Sequence, residues 1–249
     1  MEGKIILFTD LHFGSNVENK EGKIGVNTHG GNIQMEIRGL IRKIKQINPV
    51  FTVNLGDAIH ANSKENALSL FKDIVDLFEG IKVFHLLGNH DTKFLKPEEI
   101  EALTHQKSHY SFVTGKVKHI FIDSFKKGEE ISLPEDTFKW LKKELNTSKL
   151  IVIYSHYPIT NDPRNLSYYH IKYPQRSFLI ESAQIRMLLE ESGNVIMFIN
   201  GHTHFQFSKN IKGVRHHTIP SFSEDDEGNP SAKFGILDLD RLELEIKTV

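Results

Sequence analysis

The sequence predicts an α/β fold, a two-sheet β-sandwich flanked by helices, and three observations lead there. The chain opens with a strand–helix–strand–helix–strand alternation, and short crossovers of that kind favour a parallel sheet with helices packed outside. Its second half mixes further buried apolar runs with hairpin signals, which calls for a second sheet. No composition break, Pro/Ser-rich linker or internal repeat divides the 249 residues, so residues 1–249 are expected to form one domain.

Lys4–Thr9 is a continuous apolar run and reads as the first strand. After a long polar loop, Ile33, Ile37, Leu40, Ile41, Ile44 and Ile47 recur at helical spacing, and Asn48-Pro49 ends that helix. Val50–Leu55 is the second strand. A second helix follows with Leu68, Phe71, Ile74, Val75 and Phe78 on one face and Ser63 as its N-cap. Lys82–Leu87 is the third strand. Tyr110–Val113 and Val117–Asp123 flank Thr114-Gly115-Lys116 and read as a hairpin, and Pro134 opens a helix carrying Phe138, Leu141 and Leu145. Leu150–Tyr154 and Val195–Asn200 are buried strands separated by a helix near Ile180–Glu191. The tail alternates Leu242, Leu244 and Ile246 after Asp240-Arg241, so the chain is expected to end in a hairpin. His85 and His119 fall inside strands and read as core or surface residues.

Composition narrows the function classes. Hydrophobic residues make up 39% and charged residues 25%, an ordinary globular balance that excludes disordered and low-complexity chains. Lys plus Arg is 31 against 32 for Asp plus Glu, so the basic excess of a polyanion binder is missing and nucleic acid is demoted as a partner. No apolar run approaches the roughly 20 residues that cross a bilayer, and no targeting segment stands out. A cytoplasmic protein without a membrane partner is the expectation. Cysteine is absent and histidine numbers 14, so any metal must be held by oxygen and imidazole nitrogen.

The chemistry concentrates at the C-terminal ends of the predicted strands, where open α/β sheets bind ligands. There stand Asp10-Leu11-His12, Gly56-Asp57, Gly88-Asn89-His90-Asp91, Ser155-His156 and Gly201-His202-Thr203-His204. In extended chain, residues two apart point to one side, so Asp-x-His and His-x-His can each reach a shared ion. The glycines before them suit a sharp exit from the strand. Any one of these motifs alone is ordinary turn chemistry. All of them, each after a strand, are not. The oxygen and imidazole donor set suits divalent Mn, Fe or Zn.

In this order the motifs resemble those of the calcineurin-like metallophosphoesterases: D-x-H, G-D, G-N-H-D, a lone H and G-H-x-H, spanning Asp10 to His204. The resemblance implies a four-layer sandwich with a dinuclear centre. One metal would take Asp10, His12, Asp57 and His204. The other would take Asp57, Asn89, His156 and His202, with Asp57 bridging. His90 would face the substrate as a proton donor, and Asp91 is a candidate for fixing its tautomer. His60 stands where the related purple acid phosphatases carry a tyrosine ligand, which argues against an iron–tyrosinate site.

The implied activity is hydrolysis of phosphodiesters, a cyclic nucleotide or another nucleotide-like diester, by a hydroxide bridging two divalent ions, Mn or Fe first and Zn next. A phosphomonoesterase or a nucleotide pyrophosphatase on the same site is the alternative. The balanced charge speaks against a DNA nuclease, and the filled ligand positions speak against a non-catalytic scaffold. Two long connections, His12 to Asn32 and Tyr157 to Ser177, are expected to line the substrate pocket. From them His29, Tyr168 and Tyr169, with His60, are the candidate substrate contacts; packing roles for the same residues stand beside that reading.

Overall fold

A computed structural model describes residues 3–14, 33–127, 130–160, 162, 164, 166–225 and 231–249. Its strands are β1 Lys4–Phe8, β2 Phe51–Asn54, β3 Val83–His85, β4 Tyr110–Thr114, β5 Val117–Ile122, β6 Phe125–Lys127, β7 Glu130–Ser132, β8 Leu150–Ser155, β9 Val195–Asn200, β10 Phe207–Ile211, β11 Val214–Thr218, β12 Lys233–Asp238 and β13 Glu243–Thr248. The helices are α1 Ile33–Ile47, α2 Lys64–Leu77, α3 Pro97–Thr104, α4 Glu135–Glu144, α5 Tyr168–Lys172 and α6 Ser182–Ser192.

Two main sheets result, ordered β13-β12-β1-β2-β3 and β10-β11-β9-β8-β5-β4, with β6-β7 as a separate pair. Their inner strands run parallel, and antiparallel hairpins flank them. The alternation within β1 explains the layering. Ile5 and Leu7 join Phe51, Val53, Phe121, Val152, Tyr154, Met197 and Ile199 in the core between the sheets. Ile6 and Phe8 face the other way, onto Ile37, Leu40 and Ile44 of α1 and Phe71 and Ile74 of α2. The second sheet does the same with Leu141 of α4 and Ile185 and Leu189 of α6. Strands buried on both faces need apolar residues throughout, which is why they appear as continuous runs in the sequence. The fold is the expected α/β sandwich with a helical layer on each side.

Local signals decide the ends. Ser63 Oγ accepts from the Asn66 amide at 3.2 Å and caps α2. Pro134 stands at the N-cap of α4. Asp238 Oδ1 accepts from the Asp240 and Arg241 amides at 3.0 and 2.9 Å and turns the chain between β12 and β13, so the expected tail hairpin forms and β12 pairs with β1. The third strand is shorter than the apolar run around it, three residues of it being paired, because Leu86 and Leu87 already lead toward the site. Three features lie outside the expected elements. Helix α3 begins with Pro97 and has Glu98 and Glu99 in its first turn; the β10–β11 hairpin turns at Lys212-Gly213, both at positive φ; and β6 and β7 form a pair of their own. Among the described residues no helix is long and apolar enough to cross a membrane.

Candidate metal centre

The strand ends converge because their loops are stitched together by main-chain bonds. Asp10 N donates to Gly56 O at 2.9 Å, His12 N to Asp57 O at 3.0 Å, and Gly201 N to His156 O at 3.0 Å. Each carboxylate then commits one oxygen to the frame. Asp10 Oδ2 accepts from Thr9 Oγ1 at 2.6 Å and the His202 amide at 3.0 Å. Asp57 Oδ1 accepts from the His90 amide at 2.8 Å. The other oxygens face imidazoles: Asp10 Oδ1 lies 3.4 Å from His204 Nε2 and 3.7 Å from His12 Nε2, and Asp57 Oδ2 lies 3.5 Å from His156 Nε2.

Ten described non-glycine residues have positive φ, and Asp10, His12, Asp57, His202 and His204 are five of them. A left-handed backbone costs an ordinary residue about 1–2 kcal/mol, so this rim is held in strained geometry by the surrounding sheets. The glycines before these motifs serve two different needs. Gly56, at φ +108, supplies the expected sharp turn. Gly88 and Gly201 instead permit close approach: an added Cβ would stand 2.0 Å from Asp57 Oδ1 at the first and 2.0 Å from Thr9 Oγ1 at the second.

The imidazoles are oriented from behind. His156 Nδ1 donates to Leu55 O at 2.9 Å, and His202 Nε2 donates to Arg176 O at 2.7 Å, since a carbonyl can only accept. His204 Nδ1 pairs with Glu224 Oε1 at 3.1 Å. Each ring therefore keeps its other nitrogen for the site, the arrangement that orients metal-binding histidines. Burial alone would depress His204, but Asp10 and Glu224 on its two nitrogens push its pKa up to about 10. His156 likewise rises against burial to about 9, through Asp57. His12 and His202 are held well below the usual range, by burial first and then by neighbouring histidines.

This donor set fits divalent cations. Asp10 Oδ1, His156 Nε2 and Asn89 Oδ1 are buried without a hydrogen-bond partner, and unsatisfied buried polar atoms are costly unless something pairs with them. The candidates fall into two groups, Asp10–His12–His204 and Asp57–His156–His202, in each of which one ligand atom per residue lies within 4.8 Å of the others. Their members are among the ligands that the resemblance implies, which adds Asn89 to the second set and puts Asp57 in both.

Other anticipated residues are placed differently. The His90 ring lies 4.6 Å from His12 and 4.8 Å from His60, and the three form a further nitrogen cluster. His60 is depressed to about 4 by burial and by the His90 and Lys93 charges. Asp91 does not orient His90. Its oxygens accept from the Ile59 and Gly88 amides at 3.1 and 2.9 Å, so it ties the Gly88 turn to the Asp57 loop, and burial beside Asp57 raises its pKa to about 7. Tyr169 is 42% exposed and its hydroxyl accepts from Arg176 Nη1 at 2.7 Å. Tyr168 opens α5, and its side chain lies outside the described residues, as does His29 altogether. Glu224 carries no signal in the sequence, because it belongs to a polar run, Ser223-Glu224-Asp225, with no ligand spacing. His85 and His119 are buried in the core, and His119 bonds Thr114 and Tyr154.

The two-sheet α/β sandwich thus brings two Asp/His clusters that could hold metal ions to its strand ends. The family model for the calcineurin-like phosphoesterases matches residues 3–206, and the chain belongs to that family. No curated protein sequence matches it closely. Among solved structures it is similar to a dimetal phosphatase from Danio rerio, at 14% identity and TM-score 0.73, with 99% of this chain and 98% of that one covered. It is similar also to an archaeal phosphodiesterase, at 14% identity, TM-score 0.51 and 99% of each chain. A third is the phosphopantetheinyl hydrolase of Mycobacterium tuberculosis, at 13% identity, TM-score 0.56 and coverage of 88% and 89%. Likeness at this identity speaks to the fold.

Proposed function

We propose that the chain is a metal-dependent phosphoesterase that hydrolyses phosphodiesters, with a nucleotide-like diester as the substrate class. Family membership supports ester hydrolysis at phosphorus. The observation that favours a diester is a pair of clefts flanking the Gly-His-x-His motif. His202 lines one, of about 390 Å³, and His204 lines the other, of about 420 Å³. Among the described residues they share no lining residue, so a phosphate seated between the histidines has room for a substituent on each side. A monoester fills one cleft only.

Asp10, His12 and His204 would hold one divalent ion, and Asp57, Asn89, His156 and His202 the other, with Asp57 reaching both. Mn or Fe is preferred and Zn is accommodated by the same donors. When bound, the pair supplies Lewis acidity to the phosphoryl oxygens and lowers the pKa of water. The chain's part is to fix the donors: Glu224, Leu55 and Arg176 hold three of the imidazoles by their far nitrogens. His90, held by its amide on Asp57 and by ring contact with His12, is assigned proton donation to the leaving oxygen. Turnover of bis- against mono-p-nitrophenyl phosphate by the Mn-loaded protein tests the reading. The diester is expected to be the better substrate; a preference for the monoester overturns the choice.

A further inference from the structure

A further histidine reaches the centre without joining either candidate ion. His170, on α5, is 5% exposed, and its ring lies 4.7 Å from that of His202. It stands within electrostatic reach of His204, Asp10, His156 and Asp57, which come from both ligand groups. Among the described residues it is a member of neither group. His90 lies against His12, a candidate ligand of the first ion. His170 lies against His202, a candidate ligand of the second.

The chain around it fixes both the backbone and the ring. Ser177 Oγ donates to the His170 carbonyl at 3.3 Å, and the His170 amide donates to Ser167 Oγ at 3.4 Å. The same Ser167 hydroxyl lies 2.8 Å from His170 Nδ1. A hydroxyl has one proton to give. With Oγ already accepting the amide, that proton goes to Nδ1, and the neutral ring then carries its own proton on Nε2. A nitrogen so protonated is unfit to ligate a cation and suited to an anionic oxygen. His202 does not rely on this contact alone. Tyr157 packs on its ring at 4.6 Å, and the Arg176 carbonyl accepts from its Nε2 at 2.7 Å.

We propose that His170 is a further catalytic residue, whose Nε2–H donates to a non-bridging phosphoryl oxygen as charge builds there in the transition state, with Ser167 fixing the tautomer. The inference rests on the phosphodiesterase reading and deepens it. A bond forms from hydroxide to phosphorus, and the bond to the leaving oxygen breaks as that oxygen takes its proton from His90. His170 keeps its proton throughout. Its N–H meets more negative charge in the transition state than in the bound ester, so it acts on turnover more than on binding.

The test uses the full Mn-loaded chain, bis-p-nitrophenyl phosphate and His170→Phe, which keeps a ring against His202 but has no donor. That variant is expected to lose about 100- to 1,000-fold in kcat with KM changed by less than about 3-fold, while elemental analysis finds the wild-type metal content. Ser167→Ala should lose less, and should add nothing in the His170→Phe background. Wild-type kcat in His170→Phe overturns the proposal, as does a loss confined to KM. Loss of metal from His170→Phe also overturns it, in favour of a role in holding His202. Additive losses in the double variant overturn the part given to Ser167. Calorimetry with orthovanadate, which can adopt a five-coordinate form, reads the contact without turnover. Vanadate should bind His170→Phe about 10-fold or more weakly than wild type, while inorganic phosphate binds both alike. That result with no diester cleaved by wild type supports the role of His170 and defeats the diesterase reading; diester cleavage with vanadate held equally by both proteins does the reverse.

Discussion

Glu224 offers the sharpest perturbation of the proposed centre, because its described side-chain contact is with one candidate ligand, His204, which it holds from behind. It is buried at 5% exposure, with Oε1 3.1 Å from His204 Nδ1. Glu224→Gln keeps the shape and an accepting oxygen but removes the charge that makes the imidazole a stronger donor. Outer partners of this kind are worth about 10–100-fold in metal affinity, or about 1.4–2.7 kcal/mol. The loss should be selective. The group of Asp10, His12 and His204 loses its support, whereas Asp57, His156 and His202 depend on Leu55 and Arg176 carbonyls that the substitution leaves alone. Titration of metal-free protein with Mn against a chelating indicator should therefore give one site weakened by one to two orders of magnitude and one close to wild type. Equal weakening of both sites, or none at either, would refute the assignment of Glu224 to a single ion.

Further expectations follow from the same geometry. Gly88→Ala places a Cβ 2.0 Å from Asp57 Oδ1; the carboxylate must move, and elemental analysis should find metal content and activity lost together, with a destabilisation of at least about 2 kcal/mol by urea unfolding. Asp57→Asn should lower occupancy at both sites. His90→Ala should retain both metals yet slow esters of high leaving-group pKa far more than nitrophenyl esters; a uniform loss across a graded leaving-group series argues against proton donation. His119, depressed from 6.5 to about 3 by burial, takes up its proton more readily unfolded, so the stability it preserves is complete above pH 6.5 and is lost as pH falls toward 3. At pH 5 the loss is about 2 kcal/mol, and between pH 8 and 5 wild type should lose that much more stability than His119→Gln; parallel curves would contradict it.

The elements that the sequence disclosed were those whose signal is local. Apolar runs marked β1, β2, β8 and β9, a 3.6-residue period marked α1, and the hydroxyl of Ser63 marked the start of α2. Helix α3 carries its own signal in Pro97 and the two glutamates after it, but only Ile100 of the helix is fully buried, so it lacks an apolar stripe. The β10 strand has a polar, solvent-facing middle, Ser208-Lys209-Asn210, and lacks the run of its neighbours. In the site, motif order pointed to the side chains that meet at the rim, but not for the expected reason: Asp10, His12, His202 and His204 all have positive φ in place of extended chain, and His202 and His204 fall in different groups. It did not reveal Glu224 or the Arg176 carbonyl, which reach their histidines from 20 and 26 residues away. Nor did it reveal the use of Asp91, whose neighbour in sequence, His90, is not its partner in space; main-chain amides have no sequence signature.

The most direct measurement is an anomalous difference map from crystals grown with Mn. Two peaks are predicted, one in contact with Asp10, His12 and His204, the other with Asn89, His156 and His202, with Asp57 between them. A single peak, or density confined to the His12–His60–His90 cluster, would contradict the two-ion centre on which the proposed chemistry depends.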